Sequence, residues 1–208
     1  MDLADAAVRW LAVISQCDHL VAIHRRRESR GRRWDEFALN RAVVVMAVAA
    51  WQAAAEDMTT AAVDAAEPDA SSPMSPATYR LLAGQARKAV GDLATPHGEN
   101  VRNMMVQAGF DPRPHWSVAS HRRGVPALRP HETEDELRKW LRVRHAIAHG
   151  DAHLPSVDVL SSVCADPSDR DPSLRLGDAK RCVQFIRDLT SATGAGMATH
   201  LGQPNPDW

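Results

Sequence analysis

The segment from Val143 to His153 carries side chains that could perform acid–base chemistry on a phosphate. Arg144 is followed five positions later by His149, and His145 and His153 place further imidazoles four residues to either side of His149. An imidazole exchanges protons near neutral pH, whereas a guanidinium keeps its charge and offers a fixed fork of donors to phosphate oxygens. These groups suit cleavage of RNA by its own 2′-hydroxyl: one removes the hydroxyl proton, another protonates the leaving oxygen, and a cation stabilises the charge that builds on phosphorus.

The same spacing permits a metal site, but the surrounding residues do not favour one. Histidines at positions i and i+4 of a helix can share an ion, and His145 and His149 have that spacing. His153 follows Gly150, where we expect the helix to end, no acidic residue follows a histidine as in zinc proteases, and the cysteines are distant. We therefore expect neither a metal nor another cofactor.

Helix electrostatics alone explain part of the basic character of this segment. Arg138, Arg142 and His145 follow one another at spacings of four and three, which places them on one exposed stripe of a helix. Cations near a helix C-terminus complement the macrodipole. These three residues therefore need no function, although the same stripe could bind RNA phosphates.

Helix electrostatics do not explain Arg144. At 100° per residue, Arg144 falls within the apolar stripe that contains Leu141 and Ile147. A guanidinium cannot lose its charge, so burying it requires an acidic partner or an anionic ligand. An internal ion pair with Glu56 or Asp57 is the structural alternative to a catalytic role.

The composition of the chain excludes several classes of protein. Its 208 residues are 44% hydrophobic and 25% charged, with a net charge of −1, so nucleic-acid binding would need a local basic patch. Three widely separated cysteines argue against a disulfide framework. The start of the chain is acidic, unlike a signal peptide, and the apolar run at 42–55 is shorter than the roughly 20 residues that a membrane helix needs. We expect a cytoplasmic protein that does not enter a membrane.

The periodicity predicts an all-α fold, a helical bundle with long irregular connecting loops, in one domain over residues 1–208. Apolar residues at helical spacing predict a first helix over 2–28, and a second over 34–66 that is apolar almost all round, as a central helix would be. We predict a third helix from Pro76, a short helix ending at Gly109, and a long loop over 110–131. A capping box of Thr133 and Glu136 predicts the start of the helix that carries Arg144, and a last helix starts near 178.

The sequence RHAIAHG at 144–150 resembles the arginine–polar–histidine motif of HEPN proteins, particularly the RiboL-PSP-HEPN branch. The segment WDEFALNRAVVVMAVAAWQAAAEDM at 34–58 is similar to the first core helix of that branch, and TPHGENVRNMMVQAGFDPRPHW at 95–116 is similar to the segment before its catalytic helix. The resemblance covers most of residues 34–201 in the order of the family. Residues 1–33 then form an additional N-terminal helix and a basic turn.

The resemblance implies a dimeric α-helical bundle that cleaves RNA without metal. Arg144 and His149 match the motif residues that line a cleft between two subunits. His145 stands where the family commonly has Asn, so it could orient RNA or carry an extra proton, and Glu56 matches an acidic position that could orient Arg144. Such an enzyme would act as a toxin or effector in defence or stress response, with a possible antitoxin or regulatory partner. The alternative is a catalytically inactive module that binds RNA, nucleotide or a protein partner.

Two further segments could contact RNA. We expect Arg138, Arg142, Arg122 and Arg123 to bind phosphates, the last two from the loop HWSVASHRRG at 115–124, where Trp116 could stack on a base or anchor the loop on the core. The segment HRRRESRGRR at 24–33 contains six arginines. We interpret it as a solvated connection between helices.

Overall fold

A computed structural model describes residues 1–26, 33–69, 71–121 and 126–208, and for residues 24–26 and 33–35 it describes the backbone alone. Helices dominate these ranges: α1 (Leu3–Arg26), α2 (Arg33–Ala65), α3 (Pro76–Gly91), α4 (Gly98–Gln107), a 3₁₀ turn (Arg113–His115), α5 (Pro130–His149), α6 (Ser161–Ala165) and α7 (Leu176–Leu201). The strand pairing found in this part of the chain is one isolated bridge between Val118 and Leu128. The predicted all-α fold is confirmed.

Helix α2 lies at the centre of the bundle, as its composition predicted. It packs against α1 and α7 most extensively, and also against α5, α3 and α4. Trp51 at its middle is fully buried, and its indole N–H donates to the Pro96 carbonyl at 3.0 Å. Trp10 of α1 and Trp140 of α5 are also buried in the core.

Helix α5 begins earlier than the sequence indicated. Its first residue is Pro130, and the Glu132 carboxylate accepts a 2.7 Å hydrogen bond from the backbone N–H of Arg129. Thr133, the predicted N-cap, lies inside the helix and is buried, so the predicted capping box with Glu136 is wrong. Gly150 ends the helix with a φ of 70°, a left-handed conformation that glycine adopts without strain, as predicted.

A buried carboxylate organises the start of α7. Asp178 is fully buried. Its two oxygens accept hydrogen bonds from the backbone N–H and hydroxyl of Ser161 at 3.1 and 3.2 Å, and from the Arg175 N–H at 2.9 Å. The Arg181 guanidinium also bonds to it. One side chain therefore caps α7 and fixes α6 beside it.

The predicted long loop before α5 is anchored by its tryptophan. Trp116 is fully buried, and its indole N–H donates to the hydroxyl of Thr193 on α7 at 2.9 Å. A Cβ added at Gly196 of α7 would lie 2.5 Å from the His115 ring, so the absence of a side chain there lets the 3₁₀ turn approach α7. Trp116 is an anchor, the second of the two roles considered for it.

Within the residues that the structure describes, two helices are long and apolar enough to cross a membrane by length and composition. They are Leu3–Ile23 of α1 and Glu36–Ala65 of α2, with mean hydropathies of 1.2 and 1.4. The apolar part of α2 is thus longer than the run at 42–55 that we judged too short to span a bilayer. Buried core helices of soluble proteins pass the same test, and so do signal sequences. This finding therefore does not place either helix in a membrane.

The three cysteines are free. Cys17 and Cys182 are buried, and burial raises the pKa of the Cys17 thiol to about 11 and that of Cys182 well above its usual range. Cys164 is exposed, and its thiol donates to the Asp158 carbonyl at 3.0 Å. The buried thiols therefore remain protonated and act as small apolar groups in the core.

Candidate active site

A groove with a volume of about 940 Å³ separates α4 from α5. We call it the α4–α5 groove; its lining comes from residues within 95–103, 134–146 and 151–155, together with Arg113. One wall is the beginning of α4, the other is the exposed face of α5, and the loop after α5 adds the third side.

The floor of the groove depends on a close approach of the two helices. A Cβ added at Gly98, the first residue of α4, would lie 2.8 Å from Cγ of Glu134 and 3.3 Å from Cζ3 of Trp116. Glu134 is held in turn by Arg113, whose Nε and Nη2 donate to its two oxygens at 2.5 and 2.8 Å. The first turn of α4 is therefore packed directly against the start of α5.

The exposed stripe predicted on α5 forms one wall of this groove. Arg138, Arg142 and His145 are all exposed, and all line it. Arg138 pairs with Asp135 at 3.0 Å, an exposed contact of the kind that contributes little to stability. Arg142 makes no hydrogen bond or ion pair within the described part of the chain. Its charge is thus available to an anionic ligand.

Two of the three histidines lie together at the end of α5. The ring centroids of His145 and His149 are 4.1 Å apart with their planes tilted by 48°, and both side chains are exposed. His145 lines the groove and His149 does not, but the contact between the rings connects His149 to it. The spacing of four residues that suggested this pair has therefore brought the imidazoles into contact.

The third histidine takes a different partner. Nδ1 of His153 lies 3.0 Å from Oδ1 of Asp171, an exposed residue of the loop before α7. Among the described residues, no group of three or more His, Cys, Asp or Glu side chains is arranged to hold a metal ion.

Arg144 is half-buried and lacks the internal partners that we considered for it. Its Nε is buried without a hydrogen bond. The Glu56 carboxylate accepts a hydrogen bond from Gln52 at 3.0 Å, and the Asp57 carboxylate lies 3.7 Å from Arg9. Burial raises the pKa of the Asp57 carboxyl, and the charge of Arg9 offsets this only in part. Neither carboxylate is paired with Arg144, so the structure contains neither the ion pair that served as the structural alternative nor the orienting contact expected from Glu56.

The remaining arginines of the groove are held by carboxylates. Nε and Nη2 of Arg102 donate to the two oxygens of Asp111 at 2.9 and 2.7 Å, and this hydrogen bonding lowers the pKa of Asp111. Arg113 is held in the same two-pronged manner by Glu134. These guanidinium groups shape the groove but have fewer donors free for a ligand than Arg142 has.

The α4 wall contains functional groups that the sequence did not single out. His97 caps α4, since its Nδ1 accepts from the Asn100 N–H at 3.3 Å, and Asn103 is exposed in the groove with no partner in the described chain. A histidine directly before a helix could have indicated the cap. The placement of Asn103 opposite α5 could not have been inferred, because it depends on contacts between residues distant in sequence.

Several predicted contacts fall outside this site. Arg122 and Arg123 lie outside the described residues, as do the side chains of the basic segment at 24–33. Trp116 is buried and cannot stack on a base.

Comparison of the chain with protein-family models, with curated proteins and with solved structures finds no match.

Proposed function

We propose that this protein is a metal-independent endoribonuclease of the HEPN type. The observation that carries the proposal is the contact of His145 with His149 beside a groove whose Arg142 has no carboxylate partner. Two imidazoles in contact can act as base and acid in turn, and nearby guanidinium groups can neutralise a phosphate. Arg144, whose Nε has no hydrogen-bond partner, adds a second guanidinium near the end of the same helix.

The reaction needs two proton transfers and no metal. One imidazole, His149 in our assignment, takes the proton of the ribose 2′-hydroxyl as the oxygen attacks the adjacent phosphorus. The bond from phosphorus to the 5′-oxygen breaks, and that oxygen takes a proton from the second imidazole, which His145 or the partner copy of His149 supplies. The products are a 2′,3′-cyclic phosphate and a 5′-hydroxyl, while Arg144 and Arg142 stabilise the charge on the phosphate oxygens.

The most direct test uses RNA, EDTA and analysis of the product ends. We expect purified protein to cleave RNA at an unchanged rate in EDTA and to leave 2′,3′-cyclic phosphate or 3′-phosphate ends, because the proton carriers are imidazoles. A loss of activity in EDTA that one divalent metal restores would overturn the mechanism. Binding of RNA without cleavage would instead support the inactive binding module.

We also propose that the active unit is a homodimer. Five residues turn an ideal helix through about 500°, so Arg144 and His149 point about 140° apart. Arg144 is half-buried and His149 is exposed, in agreement with this divergence. A two-fold copy of α5 would bring the arginine of one subunit to the histidine of the other.

Dilution tests the dimer. Mass measured by light scattering and cleavage per chain should fall together as the protein is diluted, because each site needs both copies. A fully monomeric sample that retains its cleavage rate per chain would contradict the shared site.

We propose a cytoplasmic toxin or effector role for such an enzyme, with RNA as its substrate and an antitoxin or other regulatory protein as a possible partner. Three free cysteines are compatible with a reducing compartment. If cells that express the wild-type chain grow slowly and cells that express a His149 variant grow normally, this role is supported. Equal growth with both chains would contradict it.

A further inference from the structure

We infer that the α4–α5 groove holds one strand of RNA with its phosphates on the α5 wall and its bases directed to the α4 wall, where Asn103 contacts a base edge and determines sequence preference. This inference rests on the proposed function, because it takes RNA as the ligand. It assigns to Asn103 the choice among bases, in a site whose cations contact phosphates.

The two walls of the groove differ in charge. The α5 wall carries Arg138, Arg142 and His145 along the helix axis, over about 10 Å at 1.5 Å per residue. Arg138 pairs with Asp135, and Glu134 at the start of this wall is held by Arg113. Among the described residues of this wall, Arg142 is therefore the guanidinium without a carboxylate partner. The α4 wall carries Glu99 and Asn103, both exposed. A phosphate backbone is attracted to Arg142 on the α5 wall and repelled by the Glu99 carboxylate on the α4 wall. These charges favour a strand that turns its phosphates toward α5 and its bases toward α4.

The arginine on the α4 side does not reverse this polarity. Nε and Nη2 of Arg102 donate to the two oxygens of Asp111, and the same two atoms of Arg113, at the floor, donate to Glu134. Each of these two guanidinium charges is already balanced by a carboxylate, which weakens its attraction for a phosphate. Arg142 has no such carboxylate partner.

The groups on the α4 wall suit a base. The amide of Asn103 offers a donor and an acceptor side by side, and bases are read by paired bonds of that kind. Because Nδ1 of His97 accepts from the Asn100 N–H, the proton of its neutral ring is on Nε2, which makes that atom a donor. Among the described residues, the aromatic rings that line the groove are imidazoles, and no Phe, Tyr or Trp ring lines it. Stacking on an imidazole accepts any base, so a preference among bases would come from hydrogen bonds to base edges.

The experiment measures binding of 12-nucleotide 2′-O-methyl RNA probes, in which the attacking hydroxyl is blocked, so binding is scored whether or not the protein cleaves. Fluorescently labelled oligo-A, oligo-C and oligo-U, a duplex and polyglutamate are titrated by anisotropy against the wild-type chain. Each variant has a matched control. Arg142→Ala is compared with Arg80→Ala, which removes an exposed arginine of α3. Asn103→Ala is compared with Gln107→Ala, which removes an exposed amide of α4.

We expect Arg142→Ala to weaken all three single strands alike and to reduce the slope of log affinity against log salt by about 0.7, as for one lost contact to a single-strand phosphate. Asn103→Ala should weaken the tightest probe by about tenfold and remove the differences among the three. The control variants should bind like the wild type.

The inference is overturned if Arg142→Ala leaves the salt slope unchanged, if Asn103→Ala weakens the three probes equally or not at all, or if the duplex or polyglutamate binds as tightly as the single strands. Failure of the ribonuclease proposal is separate: a chain that binds these probes as expected but does not cleave unmodified RNA contradicts catalysis and leaves the groove assignment intact.

Discussion

Replacement of His149 by alanine is expected to reduce RNA cleavage by about 10²–10⁴-fold, the usual contribution of a general acid or base. The imidazole of His149 is exposed at the last position of α5 and touches only His145 among the ring contacts described. Its loss removes a proton carrier without opening a cavity in the core. Helix content by circular dichroism should therefore be unchanged.

His131→Ala is the matched control. His131 is an exposed histidine in the first turn of the same helix, and it does not line the α4–α5 groove. The His131→Ala variant should cleave RNA at the wild-type rate. Wild-type cleavage by His149→Ala would show that the catalytic assignment is wrong.

Arg144 permits a second form of this test, because its catalytic and structural roles predict opposite changes in stability. Arg144→Met keeps most of the apolar stem and removes a buried Nε that has no hydrogen-bond partner. If the arginine serves the phosphate, this variant should lose about 10²–10³-fold in cleavage while its free energy of unfolding stays equal or increases. A large loss of stability in urea would instead show that the arginine has a structural role.

Replacement of Asp178 by alanine is expected to lower the free energy of unfolding by about 3–5 kcal/mol, as when one partner of a buried ion pair is removed. The carboxylate is fully buried and accepts from Ser161, Arg175 and Arg181. Without it, the Arg181 guanidinium and the N–H groups at the starts of α6 and α7 lose their common acceptor. Urea unfolding followed by tryptophan fluorescence measures the effect.

Asp92→Ala provides the comparison for Asp178→Ala. Asp92 is exposed at the end of α3 and pairs with Lys88 four residues earlier, an arrangement that contributes little. A loss for Asp178→Ala no greater than that for Asp92→Ala would show that the buried network does not hold α6 and α7 together.

The helices were predictable from the sequence because their signals are local. Ser75 caps α3 by accepting from the Thr78 N–H at 3.1 Å, and the apolar middle of α2 is buried as its composition indicated. The start of α5 was misplaced because two capping patterns overlap there. Pro130 at the first helical position and Glu132 three residues after Arg129 took precedence over Thr133 and Glu136.

The candidate site was predictable only on α5. Spacings of three and four residues fix which side chains share a helix face, so the stripe from Arg138 to His145 and the contact of His145 with His149 followed from the sequence. The α4 wall depends on the close approach at Gly98, which joins residues far apart in the chain. Nothing local in the sequence around Asn103 indicates which surface it faces.

The division of α5 into a buried and an exposed face bears on how this protein can change during evolution. Leu137, Trp140 and Val143 belong to the core, whereas Arg138, Arg142 and His145 face the groove. Mutations on the exposed face can alter the ligand while the bundle stays folded, so lineages are free to diversify their targets, and a laboratory library restricted to that face should yield mostly folded variants. Arg144 belongs to neither face fully, and under the proposed function a replacement there that raises stability would conflict with keeping activity.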